Sequence, residues 1–188
     1  ESRKMRVAIL GCGSQGQAAA KRLAPSEAIS GLIVADQHEA SALKVAAKLG
    51  SKAVAQQVDV TDRKGLESIL GQIDIVVNTV GPFFKYLFAV LDAAIACKIN
   101  YVDICDDYDV CEELFLKPDY DMKAKKAGIT ALSCMGSAPG ITNVIAKLGC
   151  QQMERVKAVH VYMAWGYWRL ITPAVWRHIL HCLGGEVI

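Results

Sequence analysis

Three glycines at fixed spacing, directly after a short apolar run, constrain the fold of this chain more than any other feature. The run Arg6–Leu10 is followed by the sequence GCGSQG and then by an alanine-rich segment of helical period. This G-x-G-x-x-G spacing at a strand-to-helix turn predicts a pyrophosphate-binding loop, because glycine permits a tight turn, close approach of phosphate and close packing of helix on strand. The helix start would offer its N–H groups to the phosphates. The predicted dinucleotide-binding residues are Gly11, Gly13, Ser14, Gln15 and Gly16.

The rest of the pattern predicts an α/β fold with a doubly wound parallel sheet, the Rossmann architecture, because short β-branched runs alternate with segments of helical period. The predicted strands are Arg6–Leu10, Leu32–Ala35, Ala53–Val58, Ile73–Asn78, Tyr101–Ile104 and Ile129–Leu132. The predicted helices are Gln15–Leu23, Glu39–Leu49, Arg63–Leu70, Tyr86–Lys98 and Asp119–Ala127. Such sheets bind ligands beyond the carboxyl ends of their strands, so we expect the site in the loops after strands one, two and four.

Composition and charge exclude several functional classes. The formal net charge is only +2 and no basic stripe is present, so nucleic acid is not an expected partner. No apolar run reaches the ~18 residues of a membrane span, so no membrane association is expected. The seven cysteines are odd in number and lie in apolar segments, which is typical of free thiols in a reducing compartment. We therefore expect a cytoplasmic protein.

An acidic residue closes the predicted second strand and bears on the choice of cofactor. Asp36 lies 20 residues beyond Gly16, where a carboxylate can accept hydrogen bonds from the adenosine ribose hydroxyls. The alternative is that it caps the helix starting near Glu39. A carboxylate here would repel the 2′-phosphate of NADP, and no arginine follows to neutralise it. NAD is therefore the expected cofactor and NADP the less favoured one, although a protonated His38 would offset part of the repulsion.

The predicted fourth strand ends in a rigid loop formed by Thr79, Val80, Gly81 and Pro82. Proline fixes the backbone and glycine permits the close approach of a ligand, so we expect these four residues to flank the ribose and nicotinamide. A simple helix-entry turn is the alternative.

An acidic loop follows the predicted fifth strand. Asp103 closes that strand, and Asp106, Asp107 and Asp109 come next. A carboxylate at this edge of the sheet could hold a substrate amine or act as a general base, which makes Asp103 and Asp107 the candidate catalytic residues. Capping of a helix over Tyr108–Leu116 is the alternative.

A second domain is predicted to begin after residue 135. Residues 1–135 form the predicted dinucleotide-binding domain, and 136–188 the start and remnants of an α/β substrate or dimerisation domain that is only partly present. Within it a helix is predicted over Ile141–Cys150 and a strand over Val156–Met163. Either the chain is a piece of a longer protein, or residues are missing within or after the tail 165–188.

The tail contains a predicted helix, Ala174–Leu183, with two histidines and a cysteine on one face. His178, His181 and Cys182 could in principle ligate a metal, but no further ligand stands nearby, so no metal site is predicted. We assign Arg177 and His178 to binding of a substrate carboxylate, with plain packing as the alternative.

Four elements in a fixed order carry a family resemblance. They are the glycine loop, N-x-x-G-P-F at residues 78–83, Asn-Tyr-Val-Asp at 100–103, and G-x-x-P-G-x-x-N at 136–143. Together they resemble the saccharopine dehydrogenase family, which includes saccharopine reductase, lysine 6-dehydrogenase and carboxynorspermidine-forming enzymes. The likeness runs through roughly the first 150 residues.

The resemblance implies a Rossmann domain, a second α/β domain that holds an amino-acid or amine substrate, and hydride transfer between a nicotinamide and the carbon of a C–N bond. Lysine, saccharopine or a related adduct is the implied substrate, and a homodimer is the implied assembly. It further implies that Asp59 lies near the adenine, with capping of the helix at Arg63 as the alternative. Pro139 is implied to contact the nicotinamide or a substrate carboxylate, with an interdomain hinge as the alternative.

An acidic residue at the position of Asp36 is similar to the family's NAD-using members. Two other functions stay open: reductive condensation of an amine with a carbonyl compound, as in carboxynorspermidine synthase, and a regulatory protein that binds NAD without catalysis.

Overall fold

A computed structural model describes residues 3–162 and 173–184 of the chain. Its centre is a six-stranded parallel sheet with strand order β3-β2-β1-β4-β5-β6. The strands are β1 (Met5–Leu10), β2 (Ile29–Asp36), β3 (Ala53–Gln57), β4 (Ile75–Asn78), β5 (Asn100–Asp103) and β6 (Ala131–Leu132). The predicted Rossmann sheet is thereby confirmed.

Eight helices connect or follow these strands in the described part of the chain. They are α1 (Ser14–Leu23), α2 (Glu39–Ala46), α3 (Arg63–Leu70), α4 (Phe83–Cys97), α5 (Tyr108–Phe115), α6 (Asp119–Ala127), α7 (Ile141–Cys150) and α8 (Pro173–Gly184). None of the helices in these described ranges is long and apolar enough to cross a membrane.

The strand order reverses beside β1, and this reversal positions the candidate site. β1 pairs with β2 on one side and with β4 on the other, and Leu10 stands opposite both Ala35 and Asn78. The chain therefore leaves β1, β2 and β4 at the same level of the sheet. Their following loops meet at the edge where doubly wound folds bind ligands.

Two apolar layers cover the faces of the sheet. Along β1 the residues alternate between them, since Ala8 and Leu10 pack with α3 and α4 while Val7 and Ile9 pack with α1 and α2. All four are at most 3% exposed. Burial on both faces explains why the strands are apolar almost without interruption, and each fully buried aliphatic side chain contributes roughly 1.5–3 kcal/mol.

The helix after β4 begins earlier than its pattern predicts. The expected start is Tyr86, whereas α4 begins at Phe83 with Pro82 at its N-cap. A buried acceptor explains the extra turn, because the N–H of Phe84 donates a 2.8 Å hydrogen bond to Oδ2 of Asp107. An apolar period alone gives no sign of such a long-range cap.

The strand predicted over Val156–Met163 is wrong for the residues that the structure describes. Residues 156–162 adopt neither strand nor helix and are exposed, and Met163 lies outside the described residues. Tyr162, for example, is 90% exposed. Alternating polar and apolar residues form a strand only where another strand supplies hydrogen bonds, and within residues 3–162 and 173–184 none pairs with this segment.

The predicted helix at Ile141–Cys150 is confirmed as α7, but no residue of it is buried. Its apolar side chains Ile141, Val144, Ile145 and Leu148 are each more than half exposed. The predicted domain boundary at residue 135 stays a prediction.

Candidate dinucleotide site

The glycine loop between β1 and α1 is closed so tightly that two of its glycines have no substitute. Gly11 has φ +91°, a left-handed conformation, and a Cβ there would lie 2.9 Å from the carbonyl oxygen of Thr79. A Cβ at Gly16 would lie 1.8 Å from the Gly11 carbonyl oxygen and 2.7 Å from Thr79 Oγ1. Thr79 itself holds the loop, since its Oγ1 lies 2.8 Å from the carbonyl oxygen of Leu10.

Gly13 is different, because nothing in the described fold requires glycine there. Its φ of −68° suits any residue, and a Cβ would meet no atom within 4 Å. It is the N-cap of α1, directly before Ser14 and Gln15, whose N–H groups open the helix. The open space at Gly13 therefore adjoins hydrogen-bond donors and the positive end of the α1 dipole, which together suit a pyrophosphate.

Asp36 connects the end of β2 to this loop. Its Oδ2 accepts a 2.8 Å hydrogen bond from the N–H of Cys12, and its Oδ1 accepts a 2.9 Å bond from the N–H of His38. Burial and the Asp36 charge raise the pKa of the Cys12 thiol to about 11, so this thiol is neutral. The N-cap of α2 is His38, and no side chain caps that helix. The structure thus directs the Asp36 carboxylate to the glycine loop.

A cavity of about 420 Å³ opens between the ends of β2 and β3. It is lined by Gln37, His38, Gln57, Val58, Asp59, Asp62 and Gly65. Asp62 is the residue that caps α3, through the N–H of Lys64 at 3.1 Å. Asp59 does not cap a helix and lies in the cavity wall, and its position near an adenine stays a prediction.

Asp59 is held in one orientation by Thr61. Its Oδ1 accepts hydrogen bonds from the Thr61 hydroxyl at 2.7 Å and from the Thr61 N–H at 2.8 Å. These two bonds, the hydroxyl's first, lower the pKa of the Asp59 carboxyl below its usual value. The cavity wall therefore carries a fixed negative charge.

A buried hydrogen-bonded pair, Asn78 and Tyr101, lies under the loop after β4 and holds its first residues in place. Asn78 is fully buried, donates 3.0 Å to the Tyr101 hydroxyl oxygen, and accepts 3.0 Å from the N–H of Val80. Burial and the Asp103 charge raise the pKa of the Tyr101 phenol, so it stays protonated.

The loop after β4 also has free space beside its glycine. A Cβ at Gly81 would meet nothing within 4 Å, so a ligand has room beside Gly81 as it has beside Gly13. Pro82 begins α4 as its N-cap.

Asp103 has no exposed surface in the structure. Its Oδ1 accepts from the N–H groups of Cys105 and Cys134, and its Oδ2 accepts from the Ser133 hydroxyl at 2.6 Å. These bonds tie β5 to the loop after β6. The placement argues against the predicted role as a base that meets substrate and instead makes Asp103 a residue that positions this loop.

Asp107 is also fully buried, and its role differs from both sequence interpretations. Its carboxylate accepts from the N–H of Phe84 and so caps the first turn of α4. It is the N-cap residue of α5, but its side chain makes no capping bond to that helix. Because the partner lies 23 residues earlier, local sequence gives no signal of this contact. The buried position does not favour contact of Asp107 with substrate.

The loop with the predicted Pro139 contact lies beyond the carboxyl ends of β5 and β6. Gly140 has φ +125°, and a Cβ there would lie 2.2 Å from the Gly136 carbonyl oxygen, so only glycine fits. The Pro139 carbonyl accepts 3.1 Å from the N–H of Gly136, and Asn143 Oδ1 accepts 3.0 Å from the N–H of Gly140. The loop is thus a closed turn at the start of α7.

The two predicted substrate-binding residues lie on α8. Arg177 is exposed, and the side chain of His178 lies outside the described residues. The contact that sequence reasoning missed is made by His181, whose ring stacks on Phe84 at 4.1 Å and whose Nε2 lies 3.2 Å from Asp109 Oδ2. In the described ranges no three candidate ligands are grouped to hold a metal.

Comparison with known proteins gives this arrangement a family. The family described as "Saccharopine dehydrogenase NADP binding domain" matches residues 7–132, more than half of the chain. The chain belongs to this family. The match includes the glycine loop, Asp36, the loop at Thr79–Pro82 and all six strands except the first two residues of β1, so the first 132 residues contain the NAD(P)-binding domain of the saccharopine dehydrogenase family.

Individual members of the saccharopine dehydrogenase family are distant. Carboxynorspermidine synthase of Vibrio cholerae is 26% identical over 161 residues, covering 76% of this chain and 38% of that protein. Saccharopine dehydrogenase (NADP+, L-glutamate-forming) of Saccharomyces cerevisiae is 29% identical over 154 residues, covering 79% of this chain and 31% of that protein. The chain therefore spans only about a third of the length of these relatives.

Solved structures agree with the family assignment. The apo saccharopine dehydrogenase (L-Glu forming) from Saccharomyces cerevisiae superposes with a TM-score of 0.66 at 29% identity, covering 79% of this chain and 31% of that one. UDP-N-acetylglucosamine 3-dehydrogenase from Acidithiobacillus ferrooxidans gives a TM-score of 0.54 at 19% identity, covering 80% and 42%. The second likeness shows the fold alone.

Proposed function

We propose that this chain is the cofactor-binding part of an oxidoreductase that transfers hydride at the C–N bond of an amino acid or amine adduct, and that it prefers NAD to NADP. The observation that carries the proposal is the open space at Gly13. Neither backbone conformation nor packing requires glycine there, and the space adjoins the N-terminus of α1. A ligand that approaches the backbone closely, such as a pyrophosphate, would explain why this position is a glycine, because any side chain would occupy the space that the ligand needs.

The preference for NAD rests on Asp36. Its carboxylate stands against the glycine loop and offers its oxygens where the adenosine ribose of a bound dinucleotide would lie. The 2′-phosphate of NADP would lie close to the negatively charged carboxylate of Asp36, and the repulsion between them would weaken NADP binding. The family's name and the yeast relative's name specify NADP, so Asp36 would set this chain apart from those proteins. A protonated His38 beside the site would weaken the discrimination.

Hydride transfer requires little acid–base catalysis from the residues of this domain. The cofactor supplies the hydride chemistry, and the protein must hold the nicotinamide near the substrate carbon, place a base for the proton of the nitrogen and exclude water. Two loops would frame the nicotinamide: Thr79–Pro82 after β4 and the closed turn at Pro139. Lysine, saccharopine or a related amine adduct is the proposed substrate, and binding of its carboxylate by Arg177 and His178 remains part of the proposal.

The proposed enzyme works in a reducing compartment, and we propose the cytoplasm. Six cysteines in the described part of the chain are free thiols: Cys12, Cys97, Cys105, Cys111, Cys134 and Cys150. A homodimer is the proposed assembly, on the family resemblance alone.

The test separates binding from turnover. The chain is titrated with NADH and NADPH, and the protein in its full natural length is then supplied with NAD and with lysine or saccharopine while nicotinamide absorbance is followed. NADH binding with reduction of NAD supports the proposal. Reaction only in the reductive direction, from an amine and a carbonyl compound, would favour a condensing enzyme such as the Vibrio cholerae relative. NADH binding without turnover would favour a regulatory dinucleotide-binding protein.

A further inference from the structure

Three cysteines from separate parts of the chain meet beside the carboxyl end of β5. Cys105 follows β5, Cys111 lies on α5, and Cys134 follows β6. The sulfur atoms of Cys111 and Cys134 are 3.3 Å apart, and the Cys105 thiol is hydrogen-bonded to Cys134. Buried cysteines often pack as small hydrophobic residues, but packing alone does not require two sulfurs in direct contact.

We propose that Cys111 and Cys134 are a site of reversible oxidative modification, at which a hydroperoxide converts the two thiols to an intrachain disulfide. A disulfide joins sulfurs at about 2.05 Å, so the pair has to close by only about 1.3 Å. The residues come from a helix and a loop that already pack against each other, so closure needs no rearrangement of the sheet. Cys111 is half-buried and gives the pair its opening to solvent.

The surroundings assign different roles to the two thiols. The hydrogen bond from Cys105, the largest effect, and the one from Cys111 lower the pKa of the Cys134 thiol. Burial, and then its bond to Cys134, raise the pKa of the Cys111 thiol. Cys134 is therefore the nucleophile and Cys111 the thiol that resolves the intermediate.

The reaction balances with one peroxide for each disulfide. The Cys134 thiolate attacks a peroxide oxygen, the O–O bond breaks, and a sulfenic acid forms on Cys134 while the departing oxygen takes a proton and leaves as water or an alcohol. The Cys111 sulfur then attacks the Cys134 sulfur, the S–O bond breaks, and water leaves with the Cys111 proton. The two thiols are oxidised by two electrons and the peroxide is reduced by two.

The disulfide would fasten α5 to the loop that continues to Pro139. Cys134 begins this loop with φ +64°, and its N–H donates 2.9 Å to Asp103 Oδ1. The oxidised form would hold the loop both to β5, through Asp103, and to α5, through the new bond.

The test maps the cross-link directly. The reduced chain is treated with one equivalent of hydrogen peroxide, its remaining thiols are alkylated, and its peptides are analysed by mass spectrometry with and without reduction by dithiothreitol. We expect loss of two thiols and one peptide pair that joins Cys111 to Cys134 and separates on reduction. A different cysteine pair, a sulfinic acid on Cys134 without cross-link, or unchanged alkylation of both residues would overturn the proposal.

Variants separate the roles of the three thiols. Cys111→Ser should abolish the cross-link and leave a sulfenic acid on Cys134 that a 1,3-dione traps. Cys97→Ser, a partly buried thiol outside the cluster, should leave the cross-link unchanged. Cys105→Ala should slow alkylation of Cys134 about fivefold at neutral pH, because one hydrogen bond to its thiolate is lost. If Cys97→Ser removed the cross-link, or if Cys111→Ser kept it, the assignment would be wrong.

Discussion

The backbone N–H of Cys12 donates a 2.8 Å hydrogen bond to Oδ2 of Asp36. This bond joins the glycine loop after β1 to the residue at the end of β2 that is proposed to contact the ribose. The second oxygen of Asp36 accepts from the N–H of His38. The two halves of the proposed adenosine-binding region are therefore fixed relative to each other by one carboxylate, so this part of the proposed site is already formed before a ligand binds.

Replacing Asp36 should weaken NADH binding more than NADPH binding. Asp36→Ala removes acceptors for the ribose hydroxyls, and hydrogen bonds to a charged group are worth about 1.5–3 kcal/mol, which corresponds to a loss of about tenfold or more in NADH affinity. NADPH should lose less, because the repulsion of its 2′-phosphate is also removed. Fluorescence titration of both cofactors measures the ratio.

Asp74 offers a matched control for Asp36. It also accepts a backbone N–H, from Arg6 at 2.8 Å, but at the start of β1, the opposite edge of the sheet from the glycine loop. Asp74→Ala should lower stability without changing the affinity for NADH. An equal loss of NADH affinity in both variants would mean that Asp36 acts only on stability.

Gly13→Ala should abolish NADH binding while leaving the fold stable. The added methyl group meets no atom of the described protein, and replacing glycine by alanine at an N-cap costs roughly 0.5–1 kcal/mol, so the free energy of unfolding in urea should change by about 1 kcal/mol or less. Gly16→Ala should instead unfold the domain, because its Cβ would overlap the Gly11 carbonyl. Unchanged NADH affinity in Gly13→Ala would contradict the assigned pyrophosphate position.

Asp107 should act on stability through the start of α4. Asp107→Ala leaves the N–H of Phe84 without this acceptor in a part-buried place, which costs about 1–3 kcal/mol of unfolding free energy. Asp107→Asn keeps an acceptor oxygen and should lose less. Urea unfolding measures both, and Asp109→Ala, at a partly exposed carboxylate, is the control with a loss below about 1 kcal/mol. A stable Asp107→Ala variant without turnover would restore the catalytic interpretation of this residue.

The carboxylate of Asp59 should respond to pH through its bonds from Thr61. Its folded pKa lies below the usual value, so its contribution to stability is present above the unfolded pKa of about 3.9 and is lost as the pH falls through the lower folded pKa. Thr61→Val removes the hydroxyl bond and should raise the pKa of Asp59 toward its ordinary value. A carboxyl titration by NMR measures this pKa, with Thr142→Val as the control. An unchanged pKa of Asp59 in Thr61→Val would show that the Thr61 hydroxyl does not cause the shift.

The sheet and the glycine loop could be predicted from the sequence because their signals are local. The spacing of Gly11, Gly13 and Gly16 and the near-continuous apolar run before Asn78 lie within a few residues of each other. The six strands predicted before residue 135 match the six observed strands in order along the chain, with ends that differ by a few residues. Helix α4 begins three residues earlier than predicted, because its first turn depends on a side chain from the loop after β5.

The roles of the buried carboxylates could not be predicted in the same way. A sequence gives the same letter for an aspartate that meets substrate and for one that accepts backbone N–H groups inside the core. Asp103 accepts a hydrogen bond from the N–H of Cys134, 31 residues later in the chain. Asp107 accepts one from the N–H of Phe84, 23 residues earlier. The contact of Cys111 with Cys134 depends on the same long-range packing. Only the folded arrangement brings these groups together.

The measurement that tests the central claim most directly is a paired titration of the chain with NADH and NADPH, carried out on the wild type and on Gly13→Ala. We predict that the wild type binds NADH about tenfold more tightly than NADPH, a difference of about 1.4 kcal/mol, and that Gly13→Ala binds neither while unfolding at nearly the same urea concentration. Gly149→Ala, where an added Cβ also meets no atom within 4 Å, should bind as the wild type does. Failure of the wild type to bind either dinucleotide, or full binding by Gly13→Ala, would contradict the assignment of the site.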